Sequence, residues 1–269
     1  MNLQKMGAFI KRDFYIQTSY RFAFLLRLCA ILFSVLTFYF IAKLFGKAAV
    51  PYLKSYGGDY FSFVLVGLAF SGYLRASLSS FAQTLRNEQM MGTLENMILS
   101  PTKLSTLICC SSLWNFIFAS VEVIVYLALG GLLFGVDFSK GNFLAAFVIL
   151  FLTILCFSGI GIISASFIMV FKRGNPINWV LSSGSALFGG VFFPITILPL
   201  WLRSISWMLP ITYALRAMRH AMLQGYPLSA MYQDLLILLV FTALILPLSI
   251  FCFRYAVKQA KVKGTLAFY

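Results

Sequence analysis

Acidic side chains are scarce in this sequence: seven Asp and Glu stand among 269 residues, beside 21 Lys and Arg and a single histidine. With no paired carboxylates and only His220, little is left for general acid–base chemistry, a metal centre or a Ser-His-Asp arrangement. No G-x-x-x-x-G-K-[ST] stretch occurs. The chain therefore lacks the phosphate-cradling loop of the common nucleotide hydrolases, and any ATP chemistry must come from another chain. The five cysteines, Cys29, Cys109, Cys110, Cys156 and Cys252, lie in or beside apolar runs and form no C-x-x-C pair. They read as small reduced core residues. These absences argue against an enzyme and against a bound cofactor or metal.

What the chain has instead is hydrophobicity. Hydrophobic residues make up 61% and charged residues 10%, where soluble domains carry about 25% charge; the mean hydropathy is +0.92. Apolar runs near 20 residues long recur, which identifies an all-α integral membrane protein, since each span must satisfy its own backbone hydrogen bonds in lipid. The net charge of +14 fits cytoplasmic anchoring at a membrane better than nucleic acid.

Residues 1–20 place Leu3, Met6, Phe9, Ile10 and Phe14 at helical spacing among Lys5, Lys11, Arg12 and Asp13, the pattern of an amphipathic helix lying on the cytoplasmic membrane surface. The first apolar run is longer than the core of a cleaved signal and reads as a retained span. Six transmembrane helices are expected over 22–45, 60–82, 104–134, 142–171, 177–193 and 231–254, with both termini on one side. Lys and Arg favour the loops on the side of the N-terminus, which makes that side cytoplasmic. Ser100-Pro101 and Gly174-Asn175-Pro176 mark turns on the same side.

Between 194 and 225, Pro199 and Pro210 cut the chain into pieces too short to span. They are expected to be two short re-entrant helices dipping in from the outer face, with Trp201, Trp207 and Tyr213 at the interface and Arg203, Arg216, Arg219 and His220 reaching headgroups or water. The whole chain, 1–269, reads as one domain.

Three constellations stand out. The segment 83–103 carries Arg86, Glu88, Glu95 and Lys103, with Leu94 and Ile98 at helical spacing. This suits either a solvated loop or a docking helix for a cytoplasmic partner. Arg75 and Glu122 fall inside spans, where a charge is costly unless paired or facing water. They are either structural or line a polar path. Small residues cluster at Ser158, Gly159, Gly161, Ser164 and Ser166 and again at Ser182, Ser183, Gly184, Ser185, Gly189 and Gly190. Such clusters serve packing within a subunit or a dimer seam.

In order and spacing, Glu88, Gly92-Thr93-Leu94-Glu95 and Leu99-Ser100-Pro101, then Phe192-Phe193-Pro194, Leu198-Pro199, Trp201-Leu202 and Leu209-Pro210 leading to Arg219, resemble the permease subunits of type 2 ABC exporters. That group contains bacterial drug, polysaccharide and lipo-oligosaccharide exporters. The resemblance implies a coupling helix, with Arg86, Glu88, Gly92, Thr93, Leu94 and Glu95 meeting a separate cytoplasmic ATPase. It implies two copies of that ATPase, which bind the ATP and Mg, and a second permease copy completing a homodimer in the bacterial inner membrane. By segment alone it nominates Phe70, Tyr73 and Ser77 of the second span, and Ser182, Ser185 and Phe188 of the fifth, as lining the substrate path. The N-terminal pattern of polysaccharide permeases is met only in part by Lys11-Arg12-Asp13 and Tyr20-Arg21, so the cargo stays open among glycolipid, lipid-linked polysaccharide and drug. A rival is an ATP-independent channel or proton-coupled carrier using Glu122 and Arg75; a membrane-embedded transferase or scaffold is a third reading.

Overall fold

The structure is a computed structural model that describes residues 3–93, 104–171 and 176–262. Every element among them is helical. We label the helices α1 (Leu3–Ser19), α2 (Arg21–Leu53), α3 (Tyr60–Met90), α4 (Leu104–Ala128), α5 (Phe143–Phe171), α6 (Pro176–Phe188), α7 (Leu200–Trp207), α8 (Pro210–Gln224) and α9 (Tyr232–Val262). A π-helical turn, Leu129–Leu133, extends α4. Five stretches, Arg21–Gly46, Tyr60–Met90, Thr106–Leu133, Phe143–Phe171 and Leu228–Ala260, are long and apolar enough to cross a membrane.

Helices α3, α5 and α9 run one way through the bundle and α2 and α4 the other. Here "basal" denotes the end where α3 finishes and α4 begins, and "apical" the end where α3 begins. Helix α3 is the axis of the bundle, with residues such as Phe63, Val64, Leu65, Leu78 and Leu85 fully buried. Asp59 starts it by accepting bonds from the backbone N–H groups of Phe61 (3.3 Å) and Ser62 (2.8 Å), an N-cap that satisfies donors the helix cannot. On its flanks α3 meets α2, α4, α5 and α8. At the basal end Phe81, Leu85, Ile108, Ile168, Met169, Ala256 and Ala260 close one apolar cluster. Toward the apical end Val66, Ala145, Ile149, Met218, Met222 and Met231 close another.

The small residues of α5 serve this packing. A Cβ on Gly161 would lie 2.3 Å from the Ser77 carbonyl oxygen, and one on Gly159 would lie 2.8 Å from Ile245. Both glycines let neighbouring helices of the same subunit approach.

The expected fifth span is shorter than the hydropathy suggested. Helix α6 has 13 residues, about 20 Å of helix, against roughly 30 Å of hydrocarbon, and it stops at Phe188 instead of running to 193. Gly189 and Gly190 turn the chain there; Gly190 has φ +78°, a conformation other residues reach only with strain. The chain continues through α7 and α8. Ile211, near the start of α8, packs with Leu74 in the middle of α3, whereas Gln224 at its other end donates to the Ser55 carbonyl at the apical end (2.9 Å). Helix α8 thus lies beside α3 through the apical half of the bundle. Gly225 caps it at φ +69°, tight against the Lys140 carbonyl.

Helix α1 rests on the basal part of α4, where Phe14 meets Trp114 edge-on at 5.9 Å. Helix α2 is the least embedded long helix: among its described residues only Ile31, Val35 and Leu53 are buried.

Candidate functional site

The sequence of α3 carries a polar stripe: Arg75, Ser79, Gln83 and Asn87 recur at every fourth position, with Ser80 and Thr84 beside them. That spacing puts them on one helix face. In the structure this face is one wall of a cavity of about 620 Å³, running from the middle of the bundle to its basal end. Helix α4 supplies the second wall with Asn115, Phe118, Ala119, Glu122 and Tyr126, and α2 the third with Arg27, Ala30 and Ile31.

Three charged groups face this space. Glu122 of α4 is mostly buried and accepts a hydrogen bond from Arg27 Nε of α2. Arg27 also lies over the Phe118 ring, 4.3 Å from its centroid, a placement that the negative ring face favours. A Cβ on Gly72 would lie 3.3 Å from Glu122 Oε2, so the glycine leaves room for the carboxylate where α3 passes α4. Arg75 does not pair with Glu122. Its guanidinium donates to Ser71 Oγ at 3.1 Å, and no carboxylate reaches it among the described residues. Two arginines and one glutamate leave the cavity with one net positive charge, surrounded by amides and hydroxyls that can donate or accept. Ser80 is buried in the wall, and its hydroxyl has no partner among the described residues.

The residues nominated for the substrate path sit elsewhere. Tyr73 is buried between α3 and α4, outside the cavity lining, its hydroxyl bonded to Ser120 at 2.5 Å. Phe70 faces Leu74, Leu150 and Leu215, and Ser77 is buried against α5. On α6, Ser185 is buried, whereas Ser182 and Phe188 are half-exposed. None of the six lines the cavity. Sequence reading missed Arg27, because its partner lies 95 positions away, and it missed the fourfold polar spacing of α3, which was there to be found.

At the basal end, α3 closes in a hydrogen-bonded glycine turn. Gly92 takes φ +69°, Thr93 N–H donates to the Glu88 carbonyl at 3.0 Å, and the Thr93 hydroxyl bonds to the Glu88 carboxylate, an αL ending. Of the expected coupling residues, Glu88, Gly92 and Thr93 thus come together here, and Arg86 lies exposed earlier on α3. Leu94 and Glu95 lie outside the described residues, as do Leu99-Ser100-Pro101, Lys103 and the Gly174-Asn175 turn.

The apical arginines differ from expectation. Arg219 does not reach headgroups or water: it is 2% exposed. Its Nε donates to the Phe63 carbonyl (3.1 Å) and its Nη2 to that of Val191 (3.0 Å). It faces the bundle because α8 turns that side toward α3, where Gly67 clears its space. Arg216 grips Asp234 through Nε at 3.0 and 3.1 Å, and through Nη2, under Trp207 and Tyr213. Asp234 is accordingly a buried ion-pair partner rather than a free surface charge, and Asp59 is a helix cap. His220 is stacked between Tyr56 and Tyr226. Burial pushes the Tyr56 phenol above its ordinary range, against the pull of Arg219 and Arg216.

The sequence matches the family model of the ABC-2 type transporter over residues 5–223, from α1 through almost all of α8. No curated protein matches the chain.

Proposed function

The chain belongs to the ABC-2 type transporter family, and from that premise we propose that this multi-pass membrane protein is the permease subunit of an ATP-driven exporter moving an amphipathic molecule outward across the bacterial inner membrane. The supporting observation is the cavity between α2, α3 and α4: a polar, charged space inside an otherwise apolar bundle, reaching the basal end. Polar side chains at that depth are retained where they face a water-filled or ligand-filled space.

On this reading the basal end is cytoplasmic, both termini lie there, and α1 rests on that membrane surface. Helices α7 and α8 re-enter from the outer face, and α6 begins the fifth of six passages, cut short by the turn at Gly189 and Gly190. The turn at Glu88, Gly92 and Thr93 begins the surface on which a separate ATPase docks. Two such ATPase chains bind ATP and Mg, and a second permease copy completes a homodimer. ATP-driven closure of the motors shifts the permeases between two conformations that bind cargo differently, the condition any such coupling must meet.

Native mass spectrometry of the tagged protein, extracted gently from its own host, tests this. Two permeases with two ATPase chains are expected. A stable assembly without ATPase, passing substrate in liposomes with a pH dependence lost in Glu122→Gln, would instead establish the proton-coupled carrier, which would draw on the same Arg75 and Glu122.

A further inference from the structure

Among the described residues, the acids of the chain are engaged in a way that leaves Arg75 without one. Asp13 pairs with Arg12, Glu122 with Arg27 and Asp234 with Arg216. Asp59 caps α3, Glu88 holds Thr93 and Asp137 accepts from Ser139 N–H. Glu95 lies outside the described residues, in sequence beyond the basal end of α3. Arg75 sits about 22 Å along α3 from its apical start and about 20 Å from Glu88. A guanidinium in mid-bilayer needs an anion or water, and it has five N–H donors, of which one bond, to Ser71, is made.

The surroundings of Arg75 suit an anion. The cavity carries one net positive charge, the buried Ser80 hydroxyl has no partner among the described residues, and Gln83, Asn87 and Asn115 line the same cavity with neutral donors toward its basal end. A volume of about 620 Å³ falls within the range of small-molecule sites. The apolar part of the lining, Ala30, Ile31, Ala76 and Phe118, and the thinly packed α2 beside it, suit a hydrocarbon tail entering from the bilayer.

We infer that the cavity binds an anionic group, a phosphate ester or carboxylate, borne on an apolar tail, with Arg75 as its principal contact and the Arg27–Glu122 pair as its flank. This rests on the exporter reading for the ligand's role as cargo, but the binding itself requires no ATPase.

The test uses the purified permease in detergent, titrated with phosphatidylglycerol, phosphatidylcholine or inorganic phosphate and read by native mass spectrometry. One phosphatidylglycerol is expected to bind about tenfold more tightly than phosphatidylcholine, the order of one charge-assisted contact. Arg75→Gln should remove that preference, and Arg75→Lys should retain most of it. Glu122→Gln should strengthen it by releasing Arg27. Ala76→Phe, which fills the cavity and alters no charge, should abolish binding of either lipid at this site. Displacement by inorganic phosphate would make the anion alone sufficient; its failure to displace would require the tail. An equal affinity for both lipids, or a preference untouched by Arg75→Gln, would overturn the inference. ATPase co-purification, followed in the same variants, separates the two readings: its absence beside an intact anion preference would sink the exporter and leave the anion site standing.

Discussion

Arg219 and Phe63 hold each other twice: the guanidinium donates to the Phe63 carbonyl at 3.1 Å and lies over the ring of the same residue, 3.5 Å from its centroid. One side chain of α8 is thereby fixed to both the backbone and the side chain of α3. Its second bond, to Val191, fixes the turn after α6 as well.

Replacing Arg219 with Leu is expected to cost about 2 kcal/mol in stability, the order of a buried acceptor left unsatisfied. Arg219→Lys should recover little, since an ammonium cannot reproduce the planar fork that reaches two carbonyls. Thermal unfolding of the detergent-purified variants measures both. Unchanged midpoints would mean that α8 is held by its apolar face alone.

Gly67 and Gly46 should respond oppositely to the same substitution. A Cβ on Gly67 would lie 2.4 Å from the Val191 oxygen and 2.6 Å from Arg219 Nη2, whereas one on Gly46 meets nothing within 4 Å. Gly67→Ala is expected to reduce the yield of folded protein severely. Gly46→Ala should be neutral or stabilising by up to about 1 kcal/mol, the helix-propensity difference. Fluorescence size-exclusion profiles of both variants decide it.

Asp234→Asn leaves Arg216 half-buried without its counter-charge, and breaking such a pair costs about 3 kcal/mol. Removing both charges, as Arg216→Met with Asp234→Leu, should cost less than the single change. A double-mutant cycle on unfolding midpoints gives the coupling directly. Additive effects would show that the pair contributes nothing beyond its two members.

At the basal turn, Gly92→Val forces a β-branched residue to φ +69° and is expected to distort the Glu88–Thr93 contact at a cost of about 1–2 kcal/mol. If this turn shapes the docking surface, ATPase co-purification should fall well before the thermal stability of the permease does. A parallel loss of both would reduce Gly92 to a folding residue.

The apolar runs of the sequence located the long helices because lipid demands them, yet they placed the ends imperfectly. Helix α3 continues from 82 to Met90, since hydropathy marks where lipid stops rather than where hydrogen bonding does. The fifth span was overdrawn because Gly189, Gly190 and the apolar residues after them keep the hydropathy high through a turn. The turn that ends α3 at Gly92-Thr93 has a local cause, a glycine at φ +69°. The cavity was not legible, since it is made by three helices and flanked by Arg27 and Glu122, a pairing with no local spacing to announce it. Arg219 was misread as a surface charge because nothing in α8 says which of its faces meets α3.

The contrast between α2 and α3 fixes an order of assembly. Helix α2 is strongly apolar and makes few demands on its neighbours, so it can leave the insertion machinery for lipid as soon as it is made. Helix α3, lined with Arg75, Gln83 and Asn87 on one side and covered by protein on the others, has no comfortable place in lipid until α4 and α5 exist to enclose it. The most central helix of the bundle therefore depends on chain made after it, and a truncation before Phe143 is expected to hold α3 in the membrane less stably than one that includes α5.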